Sequence, residues 1–255
     1  MTPIKTEDEI KRMRESGRML AAVLSYLKKS LEIGMSTQDL ADMAKHELHA
    51  LGGQPAFLGY NGFPDVLCIS LNDEVVHGIP SPNRIIEGGD IVSMDFGVNY
   101  KGMITDSAIS VVAGKVANKE ISKLIDTTRE SMLAGIGVIH DKVRVGDIAA
   151  AVQEVLETGK YGIVRDLVGH GVGHSLHEGP DIPNYGKVGT GHVLHAGMTI
   201  AIEPMATLGG HGVYMANDGW TVLTRDGSLS AHFEHTVLIT QDGAEILTLR
   251  EEDRS

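Results

Sequence analysis

Ile91-Val92-Ser93-Met94-Asp95-Phe96-Gly97, followed shortly by Met103-Ile104-Thr105-Asp106-Ser107-Ala108-Ile109, is the stretch on which the fold turns. Two apolar, β-branched runs flank a polar segment containing Gly97, Asn99 and Gly102, a pattern that predicts a β-hairpin. A turn centred on Tyr100-Lys101 sets Asp95 opposite Asp106, with Cβ atoms about 4.5–5.5 Å apart, where like charges repel. The strands are apolar enough to be buried, and an unpaired buried carboxylate is costly. No lysine or arginine lies on either strand, because Lys101 belongs to the turn. A divalent cation between the two acids resolves the conflict. By itself the stretch is equally compatible with two aspartates on an exposed hairpin.

The same pattern recurs. Gly89-Asp90-Ile91-Val92-Ser93-Met94-Asp95 resembles Gly197-Met198-Thr199-Ile200-Ala201-Ile202-Glu203, 108 residues later: a glycine, an apolar strand, then an acid. Asp39-Leu40-Ala41 and Asp147-Ile148-Ala149 share that separation. Thr105-Asp106-Ser107 resembles Phe233-Glu234-His235 at a larger spacing that leaves room for an extra strand near Trp220. Each half therefore reads helix, helix, strand, acid-bearing hairpin, and a repeat of this size is a fold-level signal. It predicts an α+β fold of two pseudo-twofold-related halves, about 1–115 and 116–255, with antiparallel sheets joined at the axis and helices on one side. Asp95 and Asp106 then meet Glu203 and Glu234 at the midline. Four converging carboxylates cannot all ionise unaided. Two divalent cations balance their charge, and a neutral His170 completes the set. Carboxylates with one imidazole suit manganese, iron, cobalt or zinc, and such a pair can acidify a bridging water and clamp a tetrahedral transition state.

The helices have clear punctuation. Thr6 and Glu9 form a capping box before Ile10, Met13, Leu20, Val23, Leu24, Leu27 and Leu31, with Gly34 closing the helix. Ser36 or Thr37 starts a second, with Leu40, Met43, Ala44 and Leu48 inward, ending at Gly52-Gly53. Further helices are expected over Lys119 to His140 and from Val145 to about Thr158. A strand over Val66 to Leu71 precedes His77, which stands before Gly78 at the end of an apolar run; a lone histidine there is more often a core residue than a catalyst. In Gly169-His170-Gly171-Val172-Gly173-His174-Ser175-Leu176-His177-Glu178 the glycines forbid a stable helix, so the histidines fan from a looping backbone into a cavity. A hairpin centred on Gly227 sets Trp220 opposite Glu234. His46-Glu47-Leu48-His49 lacks the spacing of a helical zinc motif and reads as a solvated stripe, and no Gly-Lys pair continues with Ser or Thr as a phosphate loop requires.

A net charge of -12 argues against nonspecific nucleic-acid or anionic-membrane binding, which need basic patches. The single cysteine, Cys68, allows neither an intrachain disulfide nor a CxxC motif, and fits a reducing cytoplasm. The acidic N-terminal stretch does not read as a targeting segment, and no run of about 18 apolar residues is present. With 255 residues the chain is read as a single catalytic domain and as a monomer.

Asp95, Asp106, His170, Glu203 and Glu234 resemble, in order, the five dinuclear-metal ligands of the pita-bread metallopeptidases. The wider match, over Asn72 to Pro80, Gly169 to His177 and Trp220 to Thr236, is similar to the type I, bacterial-type methionine aminopeptidases and covers nearly the whole chain. The resemblance implies removal of the initiator methionine from nascent polypeptides, preferably before a small second residue, and action near the ribosome. It implies two divalent ions held by the five residues, with Asp106 and Glu234 bridging. Glu203 would also shuttle a proton of the attacking water, His177 would stabilise the oxyanion, and His77 would contact the scissile nitrogen. The methionine pocket would comprise Tyr60, Phe63, Cys68, Leu176 and Trp220, surfaces suited to a thioether. In some members a monovalent cation lies near the positions of Asn72, Glu74 and Ser230. Leu176, Asn61, Phe57 and Leu167 depart from the usual pattern, which bears on pocket shape; His174 is read as structural. Two alternatives remain: a proline-specific (Xaa-Pro) aminopeptidase, which generally carries a large domain before the first ligand, and a non-catalytic peptide-binding member, which typically loses ligands.

Overall fold

The computed structural model of the chain describes residues 1–115 and 118–253. Helix α1 (Glu7–Ser30) starts at its capping box, with Thr6 N–H donating to Glu9 Oε2 at 2.8 Å and Glu9 N–H donating to Thr6 Oγ1 at 3.3 Å. Met13, Leu20, Val23, Leu24 and Leu27 are fully buried along one face, each worth about 1.5–3 kcal/mol as a buried apolar side chain. Helix α2 (Thr37–Leu51) is capped reciprocally by Ser36 and Asp39 and ends on Gly52 in the left-handed region. Helix α3 (Lys119–Gly137) stops short of the expected His140, because the chain turns back and Lys142 N–H donates to Leu194 O at 2.9 Å. Helix α4 spans Val145–Gly159.

The decisive hairpin forms from Ile91–Tyr100 and Met103–Val112, but its register differs from expectation. The turn is Lys101-Gly102, with φ of 50° and 83°. Two-residue hairpin loops favour this double positive φ, and glycine supplies it readily at the second position. Asp95 consequently faces Ala108, and Asp106 faces Gly97. The displacement amounts to two residues, so both acids keep the same face of the sheet, where side chains alternate with period two. They are diagonal neighbours rather than opposed ones.

Cys68–Leu71 pairs with one edge of the 91–100 strand and sets Cys68 beside Asp95. The second half carries a five-stranded antiparallel sheet in the order Ala244–Ile246, His235–Ile239, Thr199–Ile202, Gly169–Gly171, Glu178–Ile182. The two halves join at the midline: Glu234 N–H donates to Ala108 O at 3.0 Å, and Ala108 N–H donates to Glu234 O at 3.3 Å. The hairpin expected around Gly227 does not form. Val222–Thr224 pairs instead with Val213–Met215 and Glu74–Val76, while Ser230–His232 pairs with Met205–Thr207. A local turn at Thr224 to Ser228 sends the chain from one sheet to another, where Val222 packs among Val75, Val76, Val164 and Met205. Glu234 thus faces Ala108, not Trp220.

Backbone features repeat at the 108-residue interval. The helix caps Ser36 and Arg144 bridge Ile85 and Val193, and Gly52 and Lys160 both end helices in the left-handed region. Gly89 and Gly197, with φ of 99° and 89°, turn the chain into equivalent strands. The boundary expected between Lys115 and Val116 adjoins Val116 and Ala117, which lie outside the described residues, as do the last two residues of the expected domain. No helix among the described residues is long and apolar enough to cross a membrane.

Candidate metal centre and substrate cavity

Glu203 and Glu234 occupy matching gaps in the ladder. Ile202 pairs with His235 and Met205 with His232, so Glu203-Pro204 and Phe233-Glu234 interrupt adjacent strands at the same level. Asp95, Ala108 and Glu234 form one row across three strands, with Asp106 one step along the same face. Thr236 fixes that step: its hydroxyl accepts from Asp106 N–H and donates to Asp106 O, both at 2.8 Å. His170 enters from the strand beside Thr199–Ile202.

One ligand atom each from Asp106, His170 and Glu234 lie within 4.8 Å of one another. His170 Nε2 is 3.4 Å from Glu203 Oε1, and the Asp95 and Asp106 carboxyls perturb one another's ionisation. Burial holds Asp95, Glu203 and Glu234 well above the usual carboxylate range, with neighbouring carboxylates pushing the same way, and pushes Asp106 up to about 7. Burial brings His170 down to about 3, so its ring is neutral. His170 Nδ1 lies 2.9 Å from Gly171 O, which places the proton on Nδ1 and leaves the Nε2 lone pair toward the carboxylates.

This donor set fits divalent metal ions. Asp95 Oδ1, Asp106 Oδ1 and Glu234 Oε1 are buried without a hydrogen-bond partner, a cost that folded proteins avoid unless something satisfies the atoms. Among the described residues no lysine or arginine lines the cavity. Four oxygen donors and one neutral imidazole can hold cations where protons otherwise sit.

The centre floors a cavity of about 180 Å³ whose wall includes Phe57, Tyr60, Asn61, Phe63, Cys68, Leu176 and Trp220. Phe63 packs edge-on against Trp220 at 5.2 Å between ring centroids. Both remaining sequence-chosen histidines reach this cavity. His177 stands 4.1 Å from His170 between ring centroids, with Nδ1 2.9 Å from the Tyr60 hydroxyl. His77 has φ of 61°, a left-handed backbone unusual for a side-chain-bearing residue and common where function demands it. Burial lowers His77 to about 4 and lowers His177 as well, so both are neutral near pH 7. Asn72, Glu74 and Ser230 also meet, away from the cavity: Ser230 Oγ is 3.0 Å from both Asn72 O and Glu74 O. Leu167 lies instead beside the cluster around Val75, Val164 and Met205, and the His174 ring donates to Glu9 at 2.7 Å.

Sequence reasoning missed His232. It is buried with neither ring nitrogen hydrogen-bonded, and Nε2 lies 3.7 Å from Glu203 Oε2. The alternation of Ala231-His232-Phe233-Glu234 offered a signal, since residues two apart on a strand share a face.

Residues 11–241 match the model of metallopeptidase family M24. The chain is 43% identical to a methionine aminopeptidase of Clostridium acetobutylicum over 98% of this chain and all of that protein. It is 42% identical to methionine aminopeptidase 1 of Bacillus subtilis, covering 96% and 98% of the two chains. The crystal structure of a Thermotoga maritima methionine aminopeptidase superposes with a TM-score of 0.96 at 43% identity, covering 98% of this chain and all of that one. A prolidase from Pyrococcus furiosus superposes at 0.77 with 25% identity, covering 97% of this chain and 66% of the prolidase.

Proposed function

The chain belongs to metallopeptidase family M24, and we infer that it is a metal-dependent aminopeptidase that removes N-terminal methionine from polypeptides. The observation that carries this reading is the convergence of four carboxylates and a neutral imidazole beneath an apolar, aromatic cavity. Relatives that match nearly end to end are methionine aminopeptidases, whereas a third of the Pyrococcus prolidase has no counterpart in this chain. That favours the methionine reading over the proline-specific one. A non-catalytic peptide binder has no use for buried, unpartnered carboxylate oxygens.

Two divalent ions held by Asp95, Asp106, His170, Glu203 and Glu234 would acidify a water and polarise the scissile carbonyl. The physiological metal is proposed as manganese, iron, cobalt or zinc from the donor chemistry. Glu203 takes the proton of the attacking water and delivers it to the leaving amine. Neutral His177, with Nδ1 accepting from Tyr60, carries its proton on Nε2 and donates it to the developing oxyanion. His77, held neutral, contacts the scissile nitrogen. Tyr60, Phe63, Cys68, Leu176 and Trp220 receive the methionine side chain, with Phe57 and Asn61 narrowing the wall. A small second residue fits the limited volume of the cavity.

In this reading 1–255 is one catalytic domain of two similar halves. It acts as a monomer in the cytoplasm, on nascent chains near the ribosome, as part of methionine excision and protein maturation. A monovalent cation near Asn72, Glu74 and Ser230 would bind through backbone carbonyls that Ser230 now bridges. The test is hydrolysis of a Met-Ala-Ser peptide, which should vanish with chelator and return with Mn²⁺ or Co²⁺. Hydrolysis of an Xaa-Pro peptide with none of Met-Ala-Ser would overturn the assignment.

A further inference from the structure

The glycines around His170 leave space for the N-terminal arm. A Cβ on Gly171 would lie 2.8 Å from Thr2 Cβ, and one on Gly173 would lie 2.4 Å from Lys5 Cε. Thr2 N–H donates to Gly179 O, and Lys5 N–H donates to Gly197 O at 2.8 Å, so the arm is wedged between the histidine loop and the turn into Thr199–Ile202. Thr2 is fully buried, and so is the Lys5 side chain.

The Lys5 ammonium has three partners in that wedge: Thr2 Oγ1 at 2.7 Å, Pro3 O at 3.2 Å and Glu178 Oε2 at 3.3 Å. Glu178 in turn shapes the loop. Its Oε1 accepts from His174 N–H at 2.8 Å and from Ser175 N–H at 3.0 Å. Gly173 N–H donates to Ser175 O at 3.1 Å and Gly173 O accepts from Ile104 N–H at 2.7 Å, which pins the other end. Between these anchors the loop presents Leu176 and His177 to the cavity. Outside, His174 Nε2 reaches Glu9 Oε1 at 2.7 Å, so α1 holds the same loop from a second side.

We propose that Lys5 is a positioning residue for His177, acting through Glu178 to hold the 173–178 loop in the geometry that catalysis requires. A buried ammonium is retained only when paired and hydrogen-bonded, and removal of either partner leaves the other charge stranded. A shift of about 1 Å in a group acting on the transition state can cost as much as 100-fold in rate. The proposal rests on the assigned role of His177, and its test has an arm that does not.

The test compares wild type with Lys5→Met, Glu178→Gln, the double variant and the gentler Thr2→Val. Per Mn²⁺-loaded molecule, Lys5→Met should lower kcat on Met-Ala-Ser by about 10- to 100-fold and leave KM and metal stoichiometry near wild type. The double variant should lose no more than the worse single variant, because both act along one path. Thr2→Val should lower kcat by about 2- to 10-fold, the scale of one hydrogen bond, and it decides the question where Lys5→Met fails to fold. Histidine-selective NMR of the metal-free protein should show the His177 resonance displaced in each folded variant. Unchanged kcat and an unmoved His177 resonance in the folded variants would overturn the proposal, leaving Lys5 a purely structural ion pair. If the wild type cleaves no Met-Ala-Ser, the functional assignment falls, and the NMR arm alone still decides whether Lys5 positions His177.

Discussion

His177 Nδ1 lies 2.9 Å from the Tyr60 hydroxyl oxygen, an interaction across 117 residues of chain that selects the Nε2–H tautomer when the phenol donates. A neutral imidazole has one donor and one acceptor nitrogen. With Nδ1 accepting from Tyr60, the Nε2 proton is available to a substrate carbonyl. Tyr60→Phe removes that selection and should lower kcat by about 2- to 10-fold, one net hydrogen bond, with metal content unchanged. Unaltered kcat would show that Tyr60 serves only as pocket wall.

His177→Ala removes the donor itself. The loss of one oxyanion donor costs on the order of 100- to 1,000-fold in kcat, and metal stoichiometry should stay at its wild-type value. Lost metal in this variant would make His177 a ligand. Glu203→Gln separates two roles in the opposite way: it should abolish turnover and also weaken Mn²⁺ binding, because an amide neither carries the proton nor balances the ion. Near-normal activity would contradict both roles.

The metal-free protein should lose stability as pH rises through neutrality. Asp106 titrates near 7 in the folded chain, above its usual value of 3.8, and Asp95, Glu203 and Glu234 are also raised. The folded state therefore holds protons that the unfolded chain releases, a stabilising term fully present below about pH 4 and lost as pH passes the folded values. His77, His170 and His232, lowered to about 4, 3 and 3, act in the opposite sense, adding stability as pH climbs toward 6.5. The carboxylates act without that opposition above pH 6.5. The Tm of the chelated protein should fall from pH 6.5 to 8, and saturating Mn²⁺ should remove the trend by taking the protons' place. A chelated Tm that rises over this window would contradict the carboxylate cluster.

Much of this was legible in the sequence where the determining physics is local. Thr6 and Glu9 announce α1, and the spacing of the Gly89 and Gly197 motifs announces the repeat. The hairpin register differs from the expected one because positive φ at Lys101 and Gly102 outweighs the symmetry of the flanking acids, yet a shift by two residues preserves their common face. The partners of Val222–Thr224 were not legible, since strand choice among the four sheets of the described residues depends on packing against Val75 and Met205. The Tyr60 hydroxyl on His177 and the Lys5–Glu178 pair escaped for the same reason. Each pairs side chains distant in sequence whose residue types carry no motif.

Gly17 gives the last prediction, one in which local and tertiary preferences disagree. It lies within α1, where alanine is intrinsically favoured by about 1 kcal/mol. A Cβ there would meet Leu247 O at 2.1 Å and Leu247 C at 2.7 Å, backbone atoms that cannot swing aside. Leu247 N–H donates to Thr236 O at 2.9 Å, and the Thr236 hydroxyl holds both backbone groups of Asp106. Displacing Leu247 therefore presses on the strand that carries a metal ligand. Overpacking costs typically about 1–3 kcal/mol, which exceeds the propensity gain once the backbone must move. Gly17→Ala should lower the Tm by several degrees, at about 2–4 °C per kcal/mol for a domain of this size, and should weaken Mn²⁺ binding. A Tm equal to or above wild type would mean that the contact relaxes freely and that helix propensity governs this position.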